Sequence, residues 1–222
     1  MPARHRFARR SPNWGPRIVA ERRTPSKRAT RKTAVEQADI AIVDKLEPML
    51  DHPAVEKIAK VGKVADEPPL LLVSGTLLAI GLLSKNPKLT RSAGTMMLAH
   101  GLAIAIKNLG KNNIDRTRPS STKNGKRYRM EPGSSSSKDL RSFPSGHAAG
   151  AMALARAFGR HFPQYKNAAY ATAGVLGAMQ VARRAHFPSD VAAGLLVGAV
   201  AEDIGSRFLR GMQRRLPDLL PA

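Results

Sequence analysis

Residues 141–153 read RSFPSGHAAGAMA, a tight polar knot set directly in front of a small-residue apolar run. The change of character at Gly146 predicts a helix start. Ser145 is a good N-cap, Gly146 lets backbone approach a ligand closely, and His147 falls in the first turn. The free N–H groups of such a start form an anion site, and an imidazole beside it can hand a proton to a departing oxygen. Within this stretch alone, a Ser cap with an incidental first-turn histidine reads equally well.

The apolar run continues as AAGAMALARAFG (148–159), which contains Arg156, and four more runs share its character. They are PPLLLVSGTLLAIGLLS (68–84), SAGTMMLAHGLAIAI (92–106), NAAYATAGVLGAMQVA (167–182) and VAAGLLVGAVA (191–201). A spanning helix needs about 20 mostly apolar residues, with about 17 as the lower limit. The run at 68–84 reaches that limit cleanly; the others do so by admitting charged or polar neighbours. Their many Gly, Ala and Ser residues let helices pack closely, as small residues do inside bilayers. A soluble bundle of buried, all-round apolar helices is the alternative. The expected fold class is all-α, a helical bundle embedded in a membrane with about five apolar helices, and the expected location is integral to the cell membrane.

Around this core the chain carries a formal charge of +21 and no cysteine, which excludes disulfides and thiolate metal sites. Such charge points to an anionic partner: nucleic acid, phospholipid headgroups or a phosphorylated substrate. The first 33 residues hold 11 Lys or Arg against one acid, Glu21, with prolines throughout. They read as a disordered basic arm (1–33) suited to anionic lipid. Residues 34–65 have apolar positions at helical spacing, broken at Pro48 and Pro53, and read as an amphipathic interfacial segment. The helical core is drawn at 66–205 and a basic tail at 206–222.

Alternating helix directions bring three polar clusters to one side. KNNIDRTRP (111–119) offers Lys111, Arg116 and Arg118. An arginine fork matches phosphate oxygens two at a time, although a basic helix end beside acidic lipid would have the same composition. PSGH (144–147) is the second cluster. In RRAHFPSD (183–190), His186 and Asp190 lie four apart. A carboxylate near one imidazole nitrogen fixes the tautomer and frees the other as a nucleophile. A metal pair is the rival reading, but no third and fourth ligand at sensible spacing appears; as a bland alternative, Asp190 is a first-turn acid favourable to the helix dipole.

Together the clusters resemble the type-2 phosphatidic acid phosphatase superfamily, which includes vanadium haloperoxidases and bacterial non-specific acid phosphatases. That family reads Lys-x6-Arg-Pro, Pro-Ser-Gly-His and Ser-Arg-x5-His-x3-Asp. Lys111 through Arg118-Pro119 fits the first pattern and residues 144–147 fit the second completely. The third keeps His186 and Asp190, but Met179 and Gln180 stand where Ser-Arg should be. Arg183, about one turn beyond Gln180, is the expected replacement for the missing clamp, with Arg184 second to it. The resemblance covers roughly residues 66 to 205.

What the resemblance implies is a metal-independent hydrolase of a lipid phosphate or diphosphate, with no cofactor. Lys111, Arg118, Ser145, the Gly146 backbone and Arg183 hold the phosphoryl oxygens. His186, oriented by Asp190, attacks phosphorus to form a phosphohistidine, and His147 protonates the leaving oxygen. A soluble acid phosphatase or haloperoxidase would share these motifs, and a degenerate binding protein is compatible with the lost Ser-Arg. A nucleic-acid partner is not expected, because no aromatic residues interleave with the basic ones to form a stacking platform.

Overall fold

The structure, a computed structural model, describes residues 32–55, 57 and 67–215. Apart from Lys32 and Thr33, the basic arm expected at 1–33 lies outside the described residues, as do 216–222.

Helix α1 (Ala34–Leu50) opens on a capping box. The Thr33 hydroxyl accepts from the Glu36 N–H at 3.3 Å, and Glu36 Oε2 accepts from the Thr33 N–H at 2.8 Å. Its inward face is unusual, because Glu36 and Asp39 are buried with Val43 and Leu50 while Val35, Ile42 and Met49 are exposed. Residues 34–50 of the segment drawn at 34–65 are thus helical, with two acids pointing into the protein, and residues 56 and 58–65 of it lie outside the described residues.

Helices α2 (Glu67–Leu83), α3 (Pro87–Lys111), α5 (Gly146–His161), α6 (Lys166–Ala182) and α7 (Pro188–Arg215) form on the five apolar runs. Asn86 caps α3, accepting from the Leu89 N–H at 3.0 Å, with Pro87 in the first turn. α7 passes through the boundary drawn at 205/206 without a break, because Gly205 and Ser206 are buried along its length.

The hub is α5, which packs against α2, α3, α6 and α7. The core joins Met96, Ala99 and Ala103 of α3 to Ala149, Ala153, Leu154 and Ala157 of α5 and Ala201 of α7. Mostly alanine, it gains its cohesion from close backbone approach rather than from bulk. A Cβ at Gly198 would run into the Ala149 carbonyl oxygen, and one at Gly194 into that of Ser145. Arg156, the charge inside the apolar run, reaches Asp203 of α7 at 2.7 Å, while Arg160 grips both oxygens of fully buried Glu202 at 2.7 Å. These charges are therefore matched across the α5–α7 seam.

The five expected apolar helices are present, and their lengths bear on the expectation that they span a membrane. Among the described residues, no helix is long and apolar enough to cross a membrane. α2 has 17 residues, about 25 Å at 1.5 Å per residue, against a hydrocarbon core of about 30 Å. The longer α3 and α7 carry charges within their length, among them Lys107 and Glu202.

The fold is also not purely helical. Strands β1 (Ile114–Arg116) and β2 (Met130–Pro132) pair antiparallel, with Asp115 opposite Glu131. Between them lies short helix α4 (Pro119–Lys123). On its other side, Arg116 bridges to Arg141, and the Ser142 N–H donates to the Arg116 carbonyl at 3.1 Å. The long polar loop is thereby pinned between α3 and α5.

Candidate active site

Backbone hydrogen bonds stitch the three clusters together at one end of the helices. The Ser142 N–H reaches the Arg116 carbonyl (3.1 Å), the Ser145 N–H reaches that of Asp190 (3.0 Å), and the Ser120 N–H reaches that of Arg184 (2.9 Å). Ser145 caps α5, its hydroxyl accepting from the Ala148 N–H at 3.4 Å. The first turn of α5, with Gly146 and half-buried His147, therefore opens beside the start of α7.

His186 precedes α7 and is 2% exposed. Its Nδ1 lies 2.6 Å from the carbonyl oxygen of Ser142. A carbonyl can only accept, so Nδ1 carries the proton and Nε2 keeps its lone pair. Asp190 was expected to orient the ring directly, yet its Oδ2 is 3.9 Å from Nδ1. That oxygen instead accepts from the Ser142 hydroxyl at 2.6 Å and the Phe187 N–H at 2.8 Å. The second contact is half of a capping box for α7. Asp190 thus fixes the segment whose carbonyl fixes the ring.

Burial pushes the His186 imidazole well below its ordinary pKa, and the positive charges of Arg118 and Lys111, then His147, push it further. The Ser142 carbonyl bond opposes them without prevailing. The ring is therefore neutral near pH 7. Above the unfolded value of about 6.5 this group leaves folding stability unchanged. As pH falls below that value the unfolded chain takes the proton first, so stability declines until the folded ring also titrates.

Arg118 stands at the site edge, its guanidinium donating to the carbonyls of Lys138 (2.8 Å), Ala185 (3.3 Å) and Arg141 (3.3 Å). Lys111 is the last residue of α3. Arg183 is the C-cap of α6 and half-buried. Arg184, its alternate, turns away in a left-handed conformation (φ 53°) and pairs with Asp51 at 2.7 Å. Gln180, where the family pattern has arginine, is buried, and its carbonyl accepts from the N–H groups of Ala185 and His186.

Arg116, grouped with its neighbours in the sequence but given no role, is 1% exposed and sits behind the site. It donates to Asp190 Oδ1 (2.6 Å), Asp39 Oδ2 (2.6 Å), the Ser189 hydroxyl (2.8 Å) and the Tyr128 hydroxyl (3.2 Å). Its face lies 4.5 Å from the Phe187 ring centroid. Burial alone would lower its pKa; the charge of Asp190 and the hydrogen bond to Asp39 outweigh that and hold it above the ordinary value. Ser142 and Asp39 also escaped the sequence reading. Ser142 lies two residues before Pro144 of the PSGH word, so nearness was a usable signal, whereas Asp39 is 77 residues from Arg116 and nothing in the sequence pairs them.

Among the described residues, no group of three His, Asp or Glu side chains is placed to hold a metal ion. A polarised, neutral histidine facing several cations is an arrangement for nucleophilic attack on an anion's central atom.

The profile of the PAP2 superfamily matches residues 92–208. A lipid A 1-phosphatase of Rhizobium johnstonii is 42% identical over 94 residues, which make up 42% of this chain and 38% of that protein. Its namesake in Rhizobium etli is 40% identical over 93 residues, 42% of this chain and 40% of that protein. The matched region thus spans less than half the length of either relative. Two crystal structures share the fold. Aquifex aeolicus LpxE superposes with a TM-score of 0.52 at 20% identity, covering 80% of this chain and 98% of its own. The transmembrane PAP2 type phosphatidylglycerolphosphate phosphatase of Bacillus subtilis gives 0.53 at 21% identity, covering 83% and 90%.

Proposed function

The chain belongs to the PAP2 superfamily, and from that premise we propose that it is a metal-independent phosphatase acting on a lipid phosphate or diphosphate at a membrane. The observation that carries the reading is the Nδ1–H bond from His186 to the Ser142 carbonyl, which leaves Nε2 as the free nucleophile among Lys111, Arg118 and His147.

The steps follow from those positions. Lys111, Arg118, the Ser145 hydroxyl and the N–H groups at the start of α5 hold the phosphoryl oxygens and stabilise their growing charge. Nε2 of His186 bonds to phosphorus as the bond to the leaving oxygen breaks, and His147 gives that oxygen its proton. Water then attacks phosphorus, the P–N bond breaks, and His147 takes the water's proton. Charge inside the protein does the work that a divalent cation does elsewhere.

The lipid character rests on the names of the relatives, lipid A 1-phosphatases, and on an apolar exterior. Leu71, Leu72, Val73, Leu82 and Leu83 of α2 are exposed, as are Leu196, Val200, Ile204 and Phe208 of α7. Such a surface suits a membrane location, with anionic lipid met by the basic arm.

Phosphate release by purified protein in mild detergent with excess chelator tests the reading. Phosphatidate, a polyprenyl diphosphate, lipid A and a water-soluble aryl phosphate would be offered in parallel. Release from a lipid is expected to exceed release from the aryl ester; folded protein that releases phosphate from none refutes the assignment.

Arg183 is the proposed fifth phosphate contact. Arg183→Ala is expected to raise KM and lower kcat/KM by about tenfold to a hundredfold, the loss of one charged hydrogen bond. Arg184→Ala, already engaged by Asp51, is expected to stay close to wild type. Equal, near-normal kinetics in both would remove Arg183 from the site.

The pH profile has a definite sign. Because the ring must be neutral to attack and its pKa is lowered, the acid limb of kcat/KM assigned to His186 should fall below the ordinary value of about 6.5. The limb set by His186 would therefore stay flat through neutrality and fall in acid, while the need for a protonated His147 sets a separate alkaline limb. An acid limb above that value would contradict the burial of the nucleophile.

A further inference from the structure

Asp39 lies on α1, outside the residues matched by the family profile, yet it touches the machinery behind the nucleophile at three points. Its Oδ2 accepts from Arg116 Nη2 at 2.6 Å and from the Ser189 hydroxyl, and its Oδ1 accepts from the Ser189 N–H at 3.0 Å. Ser189 is the second residue of α7, so Asp39 satisfies an otherwise open N–H at that helix start from a different helix. Asp39 is 3% exposed, Arg116 1% and Asp190 0%.

The connections form a chain. Asp39 grips Arg116, Arg116 grips Asp190, Asp190 holds the Ser142 hydroxyl, and the Ser142 carbonyl holds the His186 ring. Every link is 2.6 Å and every side chain is buried, so little slack exists along it. Charge adds a second role. Burial pushes the Asp190 carboxyl up, while Arg116, the Ser142 hydroxyl and the Phe187 N–H favour its ionised form. With Asp190 ionised, Asp39 turns a neutral Asp190–Arg116 pair into a triad of one net negative charge. When Nε2 bonds to phosphorus while Nδ1 keeps its proton, the ring becomes cationic, and that negative charge lies behind it.

We propose that Asp39 is a positioning residue for the nucleophile, fixing Arg116 and the first turn of α7 and supplying the net negative charge behind the His186 ring. This rests on the phosphohistidine reading above. It also gives α1 a catalytic purpose: the helix brings its acid face inward because that face completes the site.

The test compares the full chain with Asp39→Asn, Ser189→Ala and Asp51→Asn, reading kcat and KM on the best lipid substrate and the proton resonance of His186 Nδ1–H, identified by its loss in His186→Ala. Asp51 is the exposed acid at the C-cap of α1 and pairs with Lys123 and Arg184, so it controls for the docking of α1 as such. Asp39→Asn is expected to lower kcat about tenfold to a hundredfold, by analogy with the loss of an outer partner at metal-bound histidines, with KM within about threefold and the resonance displaced. Asp51→Asn should leave all three in place. Wild-type kcat in Asp39→Asn, or an equal fall in Asp51→Asn, would overturn the proposal. If Asp39→Asn does not fold, Ser189→Ala decides on the same readouts, because it removes the bridging hydroxyl and no charge. Should wild type release no phosphate, the phosphatase reading fails by itself, and the resonance alone decides whether Asp39 positions the ring.

Discussion

His186→Ala is expected to eliminate phosphate release, by about a thousandfold or more, while leaving the fold intact. The nucleophile is the one group whose loss stops the first step outright, because no neighbour offers a second lone pair at the same place. Lys111, Arg118 and Ser145 would still bind the substrate, so affinity for inorganic phosphate should survive. His147→Ala provides the contrast. A general acid contributes about a hundredfold to ten-thousandfold, and less when the leaving oxygen needs no proton. An aryl phosphate with an acidic leaving group should therefore rescue much of the rate in His147→Ala and none in His186→Ala. Stopped-time phosphate assays on both variants with lipid and aryl substrates check this; comparable rescue in the two would mean the roles are wrongly assigned.

The second large effect falls on stability. Arg116→Met would leave Asp39 and Asp190 facing each other in a buried space with no cation between them. Breaking a buried pair in this way costs about 3–5 kcal/mol, a large share of the roughly 5–15 kcal/mol that holds a domain together. The expected result is a fall in Tm of about 10 °C and no measurable turnover. Neutralising the acids at the same time, as Arg116→Met with Asp39→Asn and Asp190→Asn, should recover much of the stability and none of the activity. Thermal unfolding of the single and triple variants is the check. An Arg116→Met protein as stable as wild type would show that the pair is not buried as described.

How much of this was legible in the sequence depends on distance along the chain. The helix start at Ser145-Gly146 and the five apolar helices were legible, because capping chemistry and apolar runs are local. The meeting of Lys111, PSGH and His186 needed only alternating helix directions and motif spacing. What escaped was nonlocal or inverted. Asp39 reaches Arg116 across 77 residues, and it does so from a helix whose acids face inward and whose Val35, Ile42 and Met49 face out. Ordinary amphipathic reasoning assigns those faces the other way round. The direct His186–Asp190 contact, inferred from a spacing of four, is replaced by Ser142, because the Asp190 carboxylate is already occupied by the α7 cap, the Ser142 hydroxyl and Arg116. Nor does an apolar run show where its flanking charges go: Glu202, just past the run at 191–201, is met inside the bundle by Arg160 and Arg156.

The central claim is that phosphorus passes through Nε2 of His186, and the most direct measurement is to trap it there. Wild-type protein would be mixed with the best lipid substrate in the presence of chelator, quenched rapidly in base, digested, and mapped by mass spectrometry. A phosphoryl group on the peptide bearing His186, stable in base and lost in acid, is the predicted result. Phosphate release with no phosphorylated peptide at any quench time, or with the phosphoryl group on another residue, would contradict it.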